Sequence, residues 1–321
     1  MNKKISLIFS VLITIGIVLI PIFFTLPGQS KLWGEIQNFG HTLLTGILAL
    51  LLLWISRMRL NLAKPITYYY AAFSSANCLA GAIEIAQLFV PGDADWFDFF
   101  RDLLGAGAFL CFRAAFDHRL KSYYRGNSKR IIKLPLLVSG VLMIMAIIPG
   151  LLWGEAYIHK NSIVPVICDF NSAIELKFIE VKDAKLKMAG APAQWNKMDG
   201  DLVGQLDLSP IGNPGFSIVE PGSDWSRYTN LNFQIFSTVD SSIELHLGIE
   251  DFNGKDIDED RFNRAFTVKK GVNEIKIPIS EIETGPVSRK LELDNIRDIY
   301  LFITKPKLSI RLYIDNIKLT L

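Results

Sequence analysis

The sequence predicts a multidomain chain: an α-helical transmembrane bundle of about five helices, followed by an all-β sandwich. Three observations predict it. Up to about residue 155 the chain is mostly long apolar runs. Beyond that point polar residues alternate with β-branched and aromatic ones over short spans. The loops between the apolar runs also differ sharply in Lys and Arg content. The expected division is a membrane domain over 1–155, a linker over 156–165 and a β-domain over 166–321.

An apolar helix needs roughly 20 residues to cross the hydrocarbon core of a bilayer. Five stretches qualify, at about 5–26, 39–56, 66–90, 98–117 and 134–153. The opening MNKKISLIFSVLITIGIVLIPIFF starts like a signal peptide. Its apolar run exceeds a signal core and no A-x-A cleavage site follows, so it reads as a retained helix. Lys3 and Lys4 precede this helix, and Arg57, Arg59 and Lys64 separate the second from the third. Arg113, Arg119, Lys121, Arg125, Lys129, Arg130 and Lys133 lie at or between the fourth and fifth. The intervening loops, PGQSKLWGEIQNFG and PGDADWFD, are poor in both residues. Positive residues stay cytoplasmic. This places the amino terminus inside, everything after Trp153 outside, and the whole as a multi-pass protein of the inner (plasma) membrane. A formal charge of +2 is too near neutral for a nucleic-acid partner. Cys78 and Cys111 lie within apolar helices and Cys168 opens the polar half, so no disulfide framework is expected.

The stretch Gly81–Phe109 breaks the apolar pattern with Glu84, Gln87, Asp93, Asp95, Asp98 and Asp102. A carboxylate at the centre of a bilayer helix costs roughly 2.5–3.5 kcal/mol even on insertion scales. The predicted orientation relieves this. The third helix ends at the outer boundary near Val90 and the fourth begins there, while the second begins on the same side with His41 in its first turn. His41, Glu84, Gln87, Asp98 and Asp102 therefore converge at one depth near the external surface. Asp93 and Asp95 read as a solvated loop or helix cap. For the rest, a hydrogen-bonded structural cluster competes with a functional site, either an acid–base pair of Glu84 and His41 or an oxygen-rich cation site. No Ser or Cys nucleophile motif, Gly-rich phosphate loop or zinc-type Cys/His spacing is present. The cofactor is unknown and the enzyme question stays open.

With Asn38 and His41 upstream, then Glu84, Gln87, Pro91, Gly92, Asp98, Asp102, Gly105 and Ala106, this half resembles the VanZ-like family of bacterial membrane proteins over about 5–153. Gln37 and Asn38 stand where many relatives have Asp-Lys, and Asp93 where they have Arg; Arg101 and Lys31 are the nearby cations here. The resemblance implies a cell-envelope role touching glycopeptide-antibiotic sensitivity, without a settled reaction.

After LLWGEAYIHKNSIVPVICDF the runs NLNFQIFSTV, SIELHLGIED, RFNRAFTV, NEIKIPIS, DIYLFIT and SIRLYIDNIKLTL read as half-buried strands at sandwich-like spacing. DFNGK and VKKGVNE read as hairpin turns. Phe233, Phe236, Leu245, Leu247, Ile275 and Ile277 are expected in the core by alternation, as are Trp225 and Tyr228. Asp224-Trp225-x-x-Tyr228, Gly271-x-Asn273 and the closing Tyr313-Ile314-Asp315-Asn316 resemble galactose-binding-like jelly rolls, the fold of many carbohydrate-binding modules, over about 166–321. The resemblance implies sugar binding, which needs an exposed aromatic with polar neighbours. Trp195, Phe216 and Phe252 are the loop candidates, and Asp169 and Asp315 stand where such folds hold a structural calcium. The expected partners are membrane lipid and an envelope polysaccharide or lipid-linked precursor. Three readings compete: a glycan-binding envelope protein, an enzyme on a lipid-linked precursor, and an anchored assembly protein whose sandwich binds another protein.

Overall fold

The computed structural model describes residues 13, 14, 16, 30–89, 96–124, 128–198, 201–222, 224–255 and 257–321. The first expected helix, at 5–26, lies almost wholly outside them, as do Pro91, Gly92, Asp93 and Asp95. The chain divides into two compact units, Met1–Gly154 and Glu155–Leu321.

In the first unit, helix α1 (Lys31–Arg59) starts at Ser30, whose hydroxyl accepts the Trp33 N–H, and ends with Arg57 and Arg59 in its last turn. Both terminal features suit the helix dipole. Helix α2 (Pro65–Gln87) opens on proline, which needs no N–H at a first helical position. Its buried stripe is Tyr69, Ala72, Ala76, Ala80 and Glu84, three or four residues apart on one face. Helix α3 (Trp96–Ala115) buries Asp102, Gly105, Ala106, Ala108 and Leu110. Gly105 permits the approach of α1, since a Cβ there would run into the Thr42 carbonyl. The bonds between Thr45 and Asp102 near one end and Arg57 and Asp117 near the other set α1 parallel to α3. Between those ends lie Ala49, Leu53, Ala72, Ala76, Ala106 and Leu110, an apolar layer without a charge.

At the other polar end the partners gather on one carboxylate. Asp117 caps the short helix α4 (His118–Tyr123), accepts the Arg119 N–H at 2.9 Å and the Tyr69 hydroxyl at 2.7 Å, and pairs with Arg57. Burial pushes its carboxyl up, but those hydrogen bonds outweigh burial and hold it below the ordinary carboxylate range.

Helix α5 (Ser128–Ser162) runs on past residue 155, so residues 156–162 are helical. Among the described residues two segments are long and apolar enough to cross a membrane, Lys31–Arg59 and Lys133–Ser162. This corrects the expectation of about five crossings. Tyr68, Tyr69, Tyr70, Asn77 and Glu84 lower the hydropathy of α2, and Asp98, Arg101, Asp102 and Arg113 interrupt α3.

The second unit is a β-sandwich. Strands β1 (Val166–Cys168), β2 (Ile179–Lys182), β3 (Ala184–Gly190), β4 (Leu202–Leu208), β5 (Gly215–Val219) and β6 (Asn230–Ser237) come first. Then follow β7 (Ile243–Asp251), β8 (Phe262–Val268), β9 (Gly271–Pro278), the short helix α6 (Ile279–Glu283), β10 (Ile296–Phe302) and β11 (Ile310–Thr320). One sheet runs β3-β4-β11-β6-β9 with β1 beside β11; the other runs β2-β5-β10-β7-β8. All pairings are antiparallel. Leu206, Leu231, Phe233, Leu245, Leu247, Ile277, Leu301 and Leu312 meet in the core, with Trp225 fully buried beside them.

Two expectations change. VKKGVNE is a crossover between sheets, since β8 pairs with β7 in one and β9 with β6 in the other. Gly271, at φ +92°, turns the chain there, and the Asn273 amide closes the turn on the Lys269 and Gly271 carbonyls. Phe236 leaves the core because it follows the inward Ile235, and alternation sends it to the opposite face.

A loop after β7 is held by charge. Arg289 bonds Asp251 at 2.5 Å and Asp260 at 2.6 Å, and Asp251, fully buried, also accepts the Glu292 N–H at 2.7 Å. Burial raises the Asp251 carboxyl, but Arg289 and the backbone donors outweigh it and leave it depressed; Arg289 depresses Asp260 directly. Depressed folded values mean that this stabilisation is present above the unfolded carboxylate value, about 3.9, and is lost as pH falls through the folded ones. Arg289→Gln strands a buried carboxylate, and the expected loss is about 3–5 kcal/mol. Urea unfolding of the purified full-length protein at pH 7 measures this. The same titration below about pH 4 is expected to show the difference between variant and wild type shrinking.

Candidate functional site

Strand β10 positions the site. Its residues Ile299, Leu301 and the following Ile303 face the core, so Tyr300 and Phe302 stand on the open face of the five-stranded sheet. Register then fixes their neighbours. One row across the sheet is Glu180, Ser217, Tyr300, Gly248 and Asn263; the next is Lys182, Gly215, Phe302, His246 and Ala265. Gly215 and Gly248 carry no side chain over the strands, which leaves the rings half-exposed at the base of a hollow. A Cβ at Gly215 would strike the backbone and Cβ of Phe302 at 2.7 Å. The resulting cleft encloses about 410 Å³ and is lined by Glu180, Lys182, Asn213, Ser217, Arg261, Tyr300 and Phe302 among others. A second hollow of about 480 Å³ shares Asn213, Arg261 and Phe302 with it, and adds His246, Asn263 and Arg264.

The rings are held in place. The His246 imidazole stacks on Phe302 with centroids 5.2 Å apart and planes 17° from parallel. The Tyr300 hydroxyl donates to Glu250, with Asp298 also within reach at 2.9 Å, and Arg297 pairs with both carboxylates. Burial pushes Asp298 up, and burial with the bond to Glu250 pushes the Tyr300 phenol up, so the hydroxyl stays a donor. The Arg261 guanidinium lies 5.8 Å from the Tyr300 ring centroid. Fixed aromatic faces beside hydroxyl, amide and charged groups can take the apolar face of a sugar ring and bond its hydroxyls.

The sequence-predicted aromatics lie elsewhere. Trp195 is buried, stacked on Phe236 with centroids 5.7 Å apart, on the outer face of the other sheet. Phe216 belongs to β5 and packs in the core, though its strand passes along the cleft. Phe252 is half-buried in the turn after β7. Asp169 accepts the Asn171 N–H at 3.1 Å in a local turn, and Asp315 pairs with Lys197. Among the described residues no group of three His, Cys, Asp or Glu is placed to hold a metal ion. Tyr300 and Phe302 escaped the sequence reading, although the alternation of DIYLFIT carries the signal.

The candidates of the helical unit come from three neighbouring helices. His41, Glu84 and Asp102 are buried, from α1, α2 and α3 respectively. Thr45 donates to Asp102, the charges of Glu84 and Asp98 act on Asp102, and those of Asp98 and Arg101 act on His41. Arg101 bonds Asp98 at 2.6 Å and Glu35 at 3.2 Å. Gln87 is half-buried in the last turn of α2. Thr45 and Glu35 were not foreseen, because a threonine inside an apolar run and a glutamate near a helix start read as ordinary.

No family model and no curated protein matches the chain, so the VanZ-like resemblance stands without a match beside it. Solved structures are similar over the β-sandwich. An exo-β-agarase shares 20% identity over 48% of this chain, at a TM-score of 0.40; the match spans 24% of the agarase. A family 11 carbohydrate-binding module from Clostridium thermocellum, in complex with a β-1,3-1,4-mixed-linked tetrasaccharide, shares 22% identity at a TM-score of 0.37. That match covers 48% of this chain and 94% of the module. A family 30 carbohydrate-binding module shares 12% identity over 44% of this chain and 91% of its own length, at a TM-score of 0.34.

Proposed function

We propose that the protein is a membrane-anchored glycan-binding protein of the bacterial cell envelope, which holds a polysaccharide on the open face of its five-stranded sheet. The observation that carries this reading is the pair of half-exposed rings, Tyr300 and Phe302, locked by neighbours and set in a cleft with hydroxyl and amide groups. Phe302→Ala removes one ring without touching the Glu250–Asp298–Arg297 network. It is expected to weaken polysaccharide binding about ten-fold, the equivalent of roughly 1.4 kcal/mol, with the unfolding curve little changed. Isothermal titration of full-length protein in detergent, with polymers chosen by a glycan array, measures it. Unaltered affinity contradicts the reading.

Anchoring is supported by Lys133–Ser162, of whose most apolar window only 11% is buried. Exposed Trp33 near the start of α1, and Arg57 and Arg59 in its last turn, suit an aromatic outer boundary and a basic inner one. In this reading the basic end is cytoplasmic and the sandwich extracytoplasmic.

A second reading is favoured by the gathering of His41, Glu84 and Asp102: a membrane enzyme on a lipid-linked envelope precursor, with the VanZ-like resemblance extending to glycopeptide sensitivity. It predicts that Glu84→Gln changes that sensitivity at least two-fold while the amount of folded protein in membranes stays constant. Sensitivity and abundance falling together assign the cluster a structural role instead.

A further inference from the structure

The loop between β3 and β4 folds onto β11 and brings charge with it. Asn196, at φ +56°, takes the left-handed conformation that asparagine tolerates and turns the chain after the short 3₁₀ turn Ala193–Trp195. Lys197 runs back over the Trp195 ring, its Nζ 4.8 Å from the ring centroid. On the sheet side, the pairing of β11 with β6 breaks register between Asp315 and Lys318, and Asn316 there has φ +55°. Such a break re-aims side chains. Asp315 Oδ2 meets the Lys197 ammonium and accepts from the Asn316 amide at 3.3 Å. The Lys197 and Asp315 side chains are 12% and 6% exposed. Burial pulls the ammonium below the ordinary lysine value; the charges of Asp201 and Asp169 oppose that pull and Lys318 adds to it. Carboxylates from three segments therefore act on one buried cation.

Asp169 and Asp315 are the residues that the galactose-binding-like resemblance marks for a structural calcium. Calcium takes roughly six to eight oxygens at about 2.3–2.6 Å. The groups present do not fit it. The place beside Asp315 Oδ2 is filled by the ammonium, and a second cation there would meet its charge at contact distance. The wall over that nitrogen is the indole face of Trp195, which attracts an ammonium and offers no oxygen ligand. Asp169 Oδ1 accepts the Asn171 N–H in its own turn. Among the described residues no three acidic, imidazole or thiol groups converge on one point.

We infer that Lys197 is a built-in counter-ion: its ammonium takes the part of the structural calcium, fastens the β3–β4 loop to β11, and frees the sandwich from dependence on divalent cations. A tethered cation is neither diluted nor chelated, so the packing of Trp195 on Phe236 and Val203 holds whatever the ion content around the protein. Asp315 Oδ1 is buried without a hydrogen-bond partner among the described residues, so loss of the ammonium strands a buried carboxylate. The inference stands apart from the glycan reading.

Differential scanning calorimetry of the full-length protein in detergent tests it, with millimolar calcium chloride or with EDTA. The wild-type midpoint is expected to be the same in both. Lys197→Ala is expected to lower it by roughly 6 °C or more in either condition. Lys197→Arg, which keeps the charge, is expected to lose less. The double variant Lys197→Ala/Asp315→Asn removes the stranded charge and is expected to regain most of the loss, which decides the matter even where Lys197→Ala does not fold. A wild-type midpoint that falls in EDTA and returns with calcium shows a resident metal and overturns the inference. Lys197→Ala melting like wild type, or the double variant proving no more stable than Lys197→Ala, overturns it as well.

Discussion

The two-residue period of β10 is the constraint on which the account depends. Ile299, Leu301 and Ile303 commit one side of that strand to the core, where each is nearly inaccessible to solvent. Tyr300 and Phe302 then have nowhere to go but the open face. A shift of one residue in register would bury both rings and expose the aliphatic trio, so burial of the trio specifies the display of the rings. The strand lies at the middle of its sheet, between β5 and β7, which provide Gly215 and Gly248 as low ground beside the rings. The site is thus a consequence of core packing rather than an addition to it.

The same economy appears in the helical unit. Tyr69 and Glu84 sit at opposite ends of one buried stripe on α2, with alanines between them. The alanines let the helices approach; at one end Tyr69 donates to Asp117, itself paired with Arg57, and at the other Thr45 donates to Asp102, on which the charge of Glu84 acts. Polar groups in low dielectric need partners, and assembling them in two clusters leaves the middle layer purely apolar.

Much of this was legible in the sequence. Helix positions follow from apolar runs, and counting turns back from the loops sets His41, Glu84 and Asp102 at one depth; the structure buries all three. Strand alternation placed Phe233, Leu245, Leu247 and Ile277 inside. The failures have physical causes. Trp195 looked like an exposed loop aromatic, but a short 3₁₀ turn folds it onto Phe236, a partner 41 positions away that local pattern does not reveal. Phe216 reads as a loop residue because glycines and prolines surround it, whereas β5 begins at Gly215. Two sheets also share one period: alternation predicts that Tyr300 and Phe302 oppose Leu301, but not which side is covered. The depth of the cleft depends on cross-strand glycines brought beside β10 by pairing alone.

Hydrogen exchange of the full-length protein with and without a saturating polysaccharide locates the ligand on the fold. Slowed exchange is expected in the peptides covering 213–219 and 296–304, the strands beneath the rings. Protection confined to 191–198, around the buried Trp195, or spread over the other sheet with these peptides unchanged, would place the ligand elsewhere and contradict it.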